Sequence, residues 1–356
     1  MPWETLKGTM ILKALNPHQQ EEALQRAAGL LKKGKIVAFP TETVYGLGAD
    51  ALNPEAVAQI YDIKMRPADN PLIVHVTGMD QLAELVMEIP ADALILAGYF
   101  WPGPLTIVLP KKELVPDITT AGLSSVAVRV PSHPLALKLI QAAGLPVAAP
   151  SANLSGRPSP TTAEHVLEDL AGRIEAVLDG GPSSVGVEST VISLVSKLPA
   201  LLRPGGVTLE MLENVLGKNI LDLTNSGKEI RGIPPAPGMK YRHYAPKAPL
   251  YLVEGDEVFQ RQQLVSLSEG LIMQGRKVGM LICEESKGLF SASVVKVLGS
   301  RGEPQVAAER LFSALREMDN LAVDAIVAEG FEEKGMGRAV INRLRKAAVQ
   351  VIKQES

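Results

Sequence analysis

Lys35-Ile-Val-Ala-Phe39 runs straight into Pro40-Thr-Glu-Thr-Val-Tyr-Gly-Leu-Gly48, and this stretch sets the reading of the fold. Its first part reads as a short strand, and its second as a polar turn at the strand's end. Upstream, Ala23, Leu24, Ala27, Leu30 and Leu31 recur at helical spacing, which predicts an amphipathic helix over 18–33. Downstream, Asn53-Pro54 opens a second helix, to about Ile63. Arg66 precedes Pro67, which disfavours helix at Arg66. Lys64 and Arg66 are then expected in extended chain, sharing one solvent-facing side. Leu72–Val76 and Val126–Val130 read as further strands, and Val187–Leu194 with Leu201-Leu202 as the last of this sheet. Thr161-Thr-Ala-Glu164 is expected as a capping box that opens a helix to Leu170.

The composition changes after a short helix at Leu209–Leu216. From Asn225 to Pro249 the chain holds Gly227, Gly232, Pro234, Pro235, Pro237, Gly238, Pro246 and Pro249 without apolar periodicity, a linker stiffened by its prolines. Strands are expected at 250–253, 277–283, 293–298 and 325–329, with helices at 258–273, 306–318 and 338–353. That alternation implies a small domain with a mostly parallel sheet. The expected domains are therefore 10–224 and 249–356, joined by a linker over 225–248.

At 356 residues, the chain is long for one core. With 46% apolar and 21% charged residues it is globular rather than disordered. Lys and Arg total 36 against 39 Asp and Glu, a net charge of −3, whereas a dedicated duplex binder carries a basic excess. Aromatics at 4% are poor material for base stacking. Cys283 is the one cysteine, so neither an internal disulfide nor a multi-cysteine zinc site is available, and a cytoplasmic setting is expected. The first residues lack a basic-then-apolar leader pattern. The apolar stretch 91–110 is broken by Gly98, Pro102, Gly103 and Pro104, which argues against a membrane span.

Two polar clusters flank the apolar core. One is Lys64-Met-Arg66 with Asn70 and His75; the other is Ser151-Ala-Asn153, directly after Leu145-Pro-Val-Ala-Ala-Pro150. Two cations with hydroxyl and amide groups suit a polyanionic ligand, most simply a nucleoside triphosphate. Each feature alone has a plainer explanation: a cationic helix end for Lys64 and Arg66, turn chemistry for Ser151 and Asn153, a hydrogen-bonded core residue for His75. Arg129 resists one. In Val126-Ala-Val-Arg-Val130 the valines share one face and Arg129 takes the other. A buried arginine needs an anion, and no acid lies beside it in sequence.

Taken in order, these motifs resemble the long, two-domain form of the L-threonylcarbamoyladenylate synthase family, a YrdC-like family that starts threonylcarbamoyl-adenosine formation in tRNA. The resemblance is carried by Pro40–Gly48, Lys64-Met-Arg66 with Asn70-Pro-Leu72, Trp101-Pro-Gly-Pro-Leu-Thr106 and Val128-Arg-Val-Pro131. It continues through Pro150–Asn153, Val187-Glu-Ser-Thr190, Leu202-Arg-Pro-Gly205 and Pro237-Gly-Met-Lys-Tyr-Arg-His-Tyr244. Gly335-Met-Gly-Arg-Ala-Val-Ile-Asn-Arg-Leu-Arg345 marks the long form. The family fold implied is a twisted, open α/β sheet domain, then a smaller Rossmann-like α/β domain, joined by an ordered linker.

The implied reaction joins L-threonine, bicarbonate and ATP into threonylcarbamoyl-AMP and pyrophosphate. By resemblance, Lys64 and Arg66 are the catalytic cations and hold the phosphates with Asn70 and Mg²⁺, the metal being bound through ATP rather than by side chains. Ser125, Ser151, Asn153, Ser159, Arg203 and Tyr241 are expected at ATP. Thr43, His75, Arg129, the backbone at Ala149 and Ser189 are expected at threonine, whose carboxylate would pair with Arg129. The segment around Lys240 and Tyr241 resembles one that folds over the family's active site. A downstream tRNA threonylcarbamoyl-transfer complex is the implied recipient of the product. Carbamoyl-transferring hydrogenase-maturation proteins share the first domain but add cysteine-paired zinc modules, which one cysteine cannot build. The alternative is an RNA-binding module of the same fold without adenylate synthesis; the net charge of −3 argues for weak or no direct tRNA binding.

Overall fold

The structure, a computed structural model, describes residues 4–224, 233–236, 243–290 and 292–354. Chain contacts divide it into two units. The first is built on twelve strands: β1 Glu4–Leu6, β2 Thr9–Lys13, β3 Val37–Phe39, β4 Gly46–Asp50, β5 Ile73–His75 and β6 Leu105–Pro110. The rest are β7 Ser125–Arg129, β8 Val147–Ala148, β9 Ala176–Asp179, β10 Thr190–Ser193, β11 Ala200–Arg203 and β12 Leu221–Asp222. They form one mixed sheet in the order β1-β2-β9-β3-β4-β8-β5-β7-β6-β10-β11-β12.

Strand alternation sorts this sheet into two unlike faces. On one, Ala38, Val74, Val126, Val128, Val130 and Ala148 join the main core with Ile60 of the helix Pro54–Lys64, Leu96 of Ala91–Phe100, Val166 of Ala163–Leu170 and Leu212 of Leu209–Leu216. On the other, the helices Pro17–Lys32 and Pro134–Ala143 cover Val37, Phe39, Val147 and Leu178 through Leu24, Leu31, Leu135, Leu139 and Ile140. Each such leucine or isoleucine contributes about 1.5–3 kcal/mol on full burial. Farther along that face, among the described residues, no helix covers Ile73, Val108, Ala127, Val191 and Leu202; Leu223 and Ala236 pack there instead. Register pairing puts His75 opposite both Val147 and Arg129, so His75 and Arg129 look out on this helix-free part.

The second unit gathers Gly156–Pro158, Val185–Val187 and Arg242–Ser356. Its five strands are β13 Leu250–Glu254, β14 Val278–Cys283, β15 Val294–Gly299, β16 Ala325–Glu329 and β17 Gln350–Lys353, ordered β15-β14-β16-β13-β17. Every neighbouring pair is parallel. The helices Glu257–Met273, Pro304–Asn320 and Gly335–Ala347 make the crossovers. Arg345, at the end of the last helix, grips Glu254 at the end of β13 through Nε (2.7 Å) and Nη2 (2.8 Å). The two-part α/β architecture is the one the sequence implied.

Several local expectations are corrected. The last helix stops at Ala347, and the chain that would have extended it becomes β17. The Thr161 capping box does not form: Thr162 caps the helix by accepting from His165 N. Lys64 is not in extended chain but ends the helix begun at Pro54, and Met65 closes it in the left-handed conformation at φ 53°. Asn53 caps that helix by accepting from the amides of Glu55 and Ala56. The stretch 91–110 is one helix and one strand, and among the described residues no helix is long and apolar enough to cross a membrane.

Candidate active site

The two polar clusters meet through one side chain. Lys64 is buried at the C-terminal end of its helix, and its Nζ donates to the carbonyls of Ser151 and Asn153, both at 2.5 Å. It is therefore not solvent-facing as expected. Register brings the third motif to the same place. Gly46, the first residue of β4, bridges Ser151; Leu47 N donates to Pro150 O (2.7 Å) and Ala152 N to Tyr45 O (2.8 Å). The segments 41–48 and 149–153 are thus one substructure that Lys64 pins from the side. Arg66 turns to its own loop: Nε donates to Asn70 O (3.2 Å) and Nη2 to Pro71 O (3.0 Å). Asn70 is buried, and its Oδ1 has no hydrogen-bond partner among the described residues.

A polar row crosses the helix-free face. His75 on β5 lies opposite Arg129 on β7. Thr106 on β6 and Ser189, just before β10, are joined hydroxyl to hydroxyl at 2.7 Å. All four side chains are buried. Arg129 donates from Nε to Gly103 O (3.1 Å) and from Nη1 to Thr43 Oγ1 (2.8 Å). Arg203 donates from Nε to Ser189 O (3.0 Å) and from Nη2 to Ser189 Oγ (3.1 Å). Ala149 N donates to Ile73 O (2.9 Å), which sets the backbone of 149 beside β5. Ser159 donates to Glu188 Oε1 at 2.5 Å. Ser125, half-buried, opens β7 two residues before Ala127 on the same face as Arg129. Tyr241 and Lys240 lie outside the described residues.

The anion that Arg129 requires is Glu42, 2.6 Å from Nη2 and equally buried. Pairing a strand residue with an acid far upstream is a tertiary contact, so spacing could not reveal it. The sequence carries the signal nonetheless: Glu42 is the acid inside Pro40-Thr-Glu-Thr43. Thr106 likewise closes the motif Trp101–Thr106 without standing out as a single residue. Burial alone would raise the Glu42 carboxyl, but the guanidinium overrides it and holds the pKa below the usual carboxylate value. His75 moves the other way. Burial first, and then the Arg129 charge, push it down to about 3, so the ring is neutral near pH 7.

Among the described residues, His75 Nδ1 and Arg129 Nη2 in this row, and the Glu42 oxygens beside it, make no well-aligned hydrogen bond, although Arg129 and the Ser132 backbone lie close enough to lower the Glu42 pKa. Buried polar groups left open in this way are uncommon in protein interiors and mark where a polar ligand can be received. No cluster of three metal-ligating side chains occurs among the described residues. Cys283 belongs to the second unit and is buried; burial and the neighbouring Glu329 push its thiol up, away from nucleophile chemistry.

A family profile for Sua5, YciO and YrdC proteins, described as telomere recombination, matches residues 29–205. A second, described as the threonylcarbamoyl-AMP synthase C-terminal domain, matches 207–349. The chain is 52% identical to the threonylcarbamoyl-AMP synthase of Pyrococcus abyssi over 92% of its own length and 95% of the relative's. It is 50% identical to that of Bacillus subtilis over 91% and 92%. The solved structure of P. abyssi Sua5 complexed with L-threonine superposes with a TM-score of 0.92 at 50% identity, covering 98% of this chain and 100% of that one. The chain belongs to the threonylcarbamoyl-AMP synthase family.

Proposed function

We propose that this chain joins L-threonine, bicarbonate and ATP into threonylcarbamoyl-AMP and pyrophosphate, a nucleotidyl transfer that supplies the threonylcarbamoyl group for tRNA. The observation that carries it is the buried row of His75, Arg129, Thr106 and Ser189, with unspent hydrogen-bonding atoms, beside loops pinned by Lys64. The names of its half-identical relatives support the same reading. Threonine is held by Thr43, His75, Arg129, Ser189 and the backbone at Ala149. ATP is held by Ser125, Ser151, Asn153, Ser159, Arg203 and Tyr241. Lys64, Arg66 and Asn70 attend its phosphates, and Mg²⁺ enters as part of the ATP complex.

In this reaction the threonine amine bonds to the carbon of carbon dioxide and gives up a proton, or to that of bicarbonate and expels water, and becomes a carbamate. A carbamate oxygen then attacks the α-phosphate, its new P–O bond replacing the bond to pyrophosphate, which leaves. Such chemistry asks the protein for orientation and charge neutralisation and needs no nucleophilic side chain. A neutral His75 suits the role, since it adds no second cation next to Arg129. The setting is cytoplasmic, the adenylate passes to a downstream transfer complex, and direct tRNA binding is weak. The test is pyrophosphate release from Mg-ATP with threonine and bicarbonate omitted in turn. Release should require both; release of orthophosphate, or indifference to threonine, would sink the assignment.

A further inference from the structure

Glu42 and Arg129 form a buried ion pair whose geometry is unusual in what it leaves unused. Arg129 is only 3% exposed and Glu42 6%, so neither charge is relieved by water. Nε and Nη1 each have an acceptor, Gly103 O and Thr43 Oγ1. Nη2 stands 2.6 Å from Glu42 Oε1, a contact close enough to lower the Glu42 pKa but off the line of a straight hydrogen bond. Glu42 therefore cancels the guanidinium's charge while leaving Nη2 poorly aligned with it and able to turn to a better-placed acceptor. A lone buried cation would be costly, and a fully bonded pair would have nothing to offer a ligand.

The charge count around this pair is simple. His75, directly across from Arg129 in register, is neutral because burial and Arg129 push it down to about 3. His133, which also feels Glu42, is lowered by burial and neutral too. Arg129 and Glu42 then sum to zero, and Arg203 and Glu188, both buried next to Ser189, add one charge of each sign. A zwitterionic amino acid brings a carboxylate and an ammonium and keeps the sum at zero. A carboxylate without an amine leaves a net negative charge at low dielectric, where it is poorly tolerated.

We propose that Glu42 is a positioning residue of the amino-acid pocket: it holds the Arg129 guanidinium in place and balances its charge, so that the pocket admits a net-neutral amino acid and rejects carboxylates that lack the amine. The inference rests on the threonine-binding reading above and adds a residue and a selection rule to it.

The test is calorimetric titration of the full chain with L-threonine and with 3-hydroxybutyrate, which is threonine without its amine. Wild type should bind threonine at least about tenfold more tightly than 3-hydroxybutyrate. Glu42→Gln should weaken threonine and narrow that gap by about tenfold, because the pocket then carries an uncompensated cation. Glu42→Asp keeps the charge on a shorter stem, so it should weaken threonine while preserving the gap. A purely structural role for Glu42 would weaken both ligands together and leave their ratio alone, which overturns the proposal. So does tighter threonine binding in Glu42→Gln, since Glu42 would then be a competitor for Arg129. If Glu42→Gln does not fold, Glu42→Asp decides: unchanged threonine affinity there overturns the role. Wild type that takes up no threonine sinks the parent reading instead, whatever the variants do.

Discussion

Lys64 holds structure in addition to the phosphate-binding role proposed for it. Its ammonium holds the carbonyls of Ser151 and Asn153, so removing it leaves two acceptors unsatisfied at a buried site. Lys64→Ala should therefore destabilise the chain by about 1.5–3 kcal/mol, the scale for bonds to a charged group. For a domain of this size that is a fall of about 3–12 °C in melting temperature. Pyrophosphate release should fall as well. Arg66 is only half-buried and bonds to nearby carbonyls of its own loop, so Arg66→Ala should cost less stability. Equal, negligible shifts in calorimetry would restore the solvent-facing placement. His75 gives a pH signature with a definite sign. Its folded pKa of about 3 lies below the ordinary value of 6.5, so below pH 6.5 the unfolded chain binds the proton that the folded one refuses. Stability is intact above pH 6.5 and should drop by roughly 1.4 kcal/mol per pH unit as pH falls toward 3. Glu42, whose pKa is also lowered, adds loss in the same acid direction. His75→Phe should flatten the slope of melting temperature between pH 6.5 and 4.5; an unchanged slope would mean that His75 is not its source.

Elements with strong internal periodicity were legible in the sequence, and those defined by neighbours were not. The helices Pro17–Lys32, Pro54–Lys64 and Leu209–Leu216 carry caps and apolar stripes, and their ends lie within a residue or two of expectation. Strands such as β4, with Gly46 and Gly48, or the two-residue β8 exist only because a partner supplies their ladder. The same holds for the site. Motif order pointed to Arg129 and Ser189, but their partners, Glu42 in the loop between β3 and β4 and Thr106 on β6, are distant in sequence and needed the fold to appear. The turn after β11 shows what such register demands. A Cβ on Gly205 would come within 2.3–2.4 Å of Thr190 N, Glu188 O and Ser189 C, all backbone atoms that cannot swing aside. The Arg203-Pro-Gly205 segment is thereby pressed onto the residues that present Ser189. Gly205→Ala should force them apart, costing about 1–3 kcal/mol as overpacking. It should also raise the threonine requirement more than the ATP requirement, as measured by pyrophosphate release at varied substrate. Equal effects on both substrates would show that Ser189 is not the group displaced.

At the scale of the molecule, the boundary between units is not a single cut in the sequence. The second unit includes Gly156–Pro158 and Val185–Val187 as well as the chain from 242 onward. Within it, Arg316 Nη2 donates to Pro158 O (2.7 Å), Ala245 N donates to Gly156 O (2.8 Å), and Arg157 Nη2 lies 3.9 Å from Asp319 Oδ2. Gly186 packs so closely on the backbone of Ala308 and Glu309 that a Cβ would lie 2.3–2.6 Å from it. A fragment ending at Ala236 keeps all twelve strands of the first sheet, and keeps Ala236 itself over Ile73, Val108, Ala127 and Leu202. It should therefore fold, while one ending at Leu223 loses that cover and should melt lower. Both fragments leave 156–158 and 185–187 without the partners just named. Loops stripped of packing open locally at small cost, and amide exchange reads that opening. The amides of Gly156, Arg157, Val185, Gly186 and Val187 should exchange about tenfold or more faster in the 1–236 fragment than in the full chain, with the β5 and β7 amides unchanged. Ser155, Ser159 and Glu188 adjoin these loops, so pyrophosphate release should fall with the protection even though the polar row stays formed. If those five amides kept full protection in the fragment, the loops would be held by the first sheet alone, and any loss of activity would have to come from the chain beyond 236.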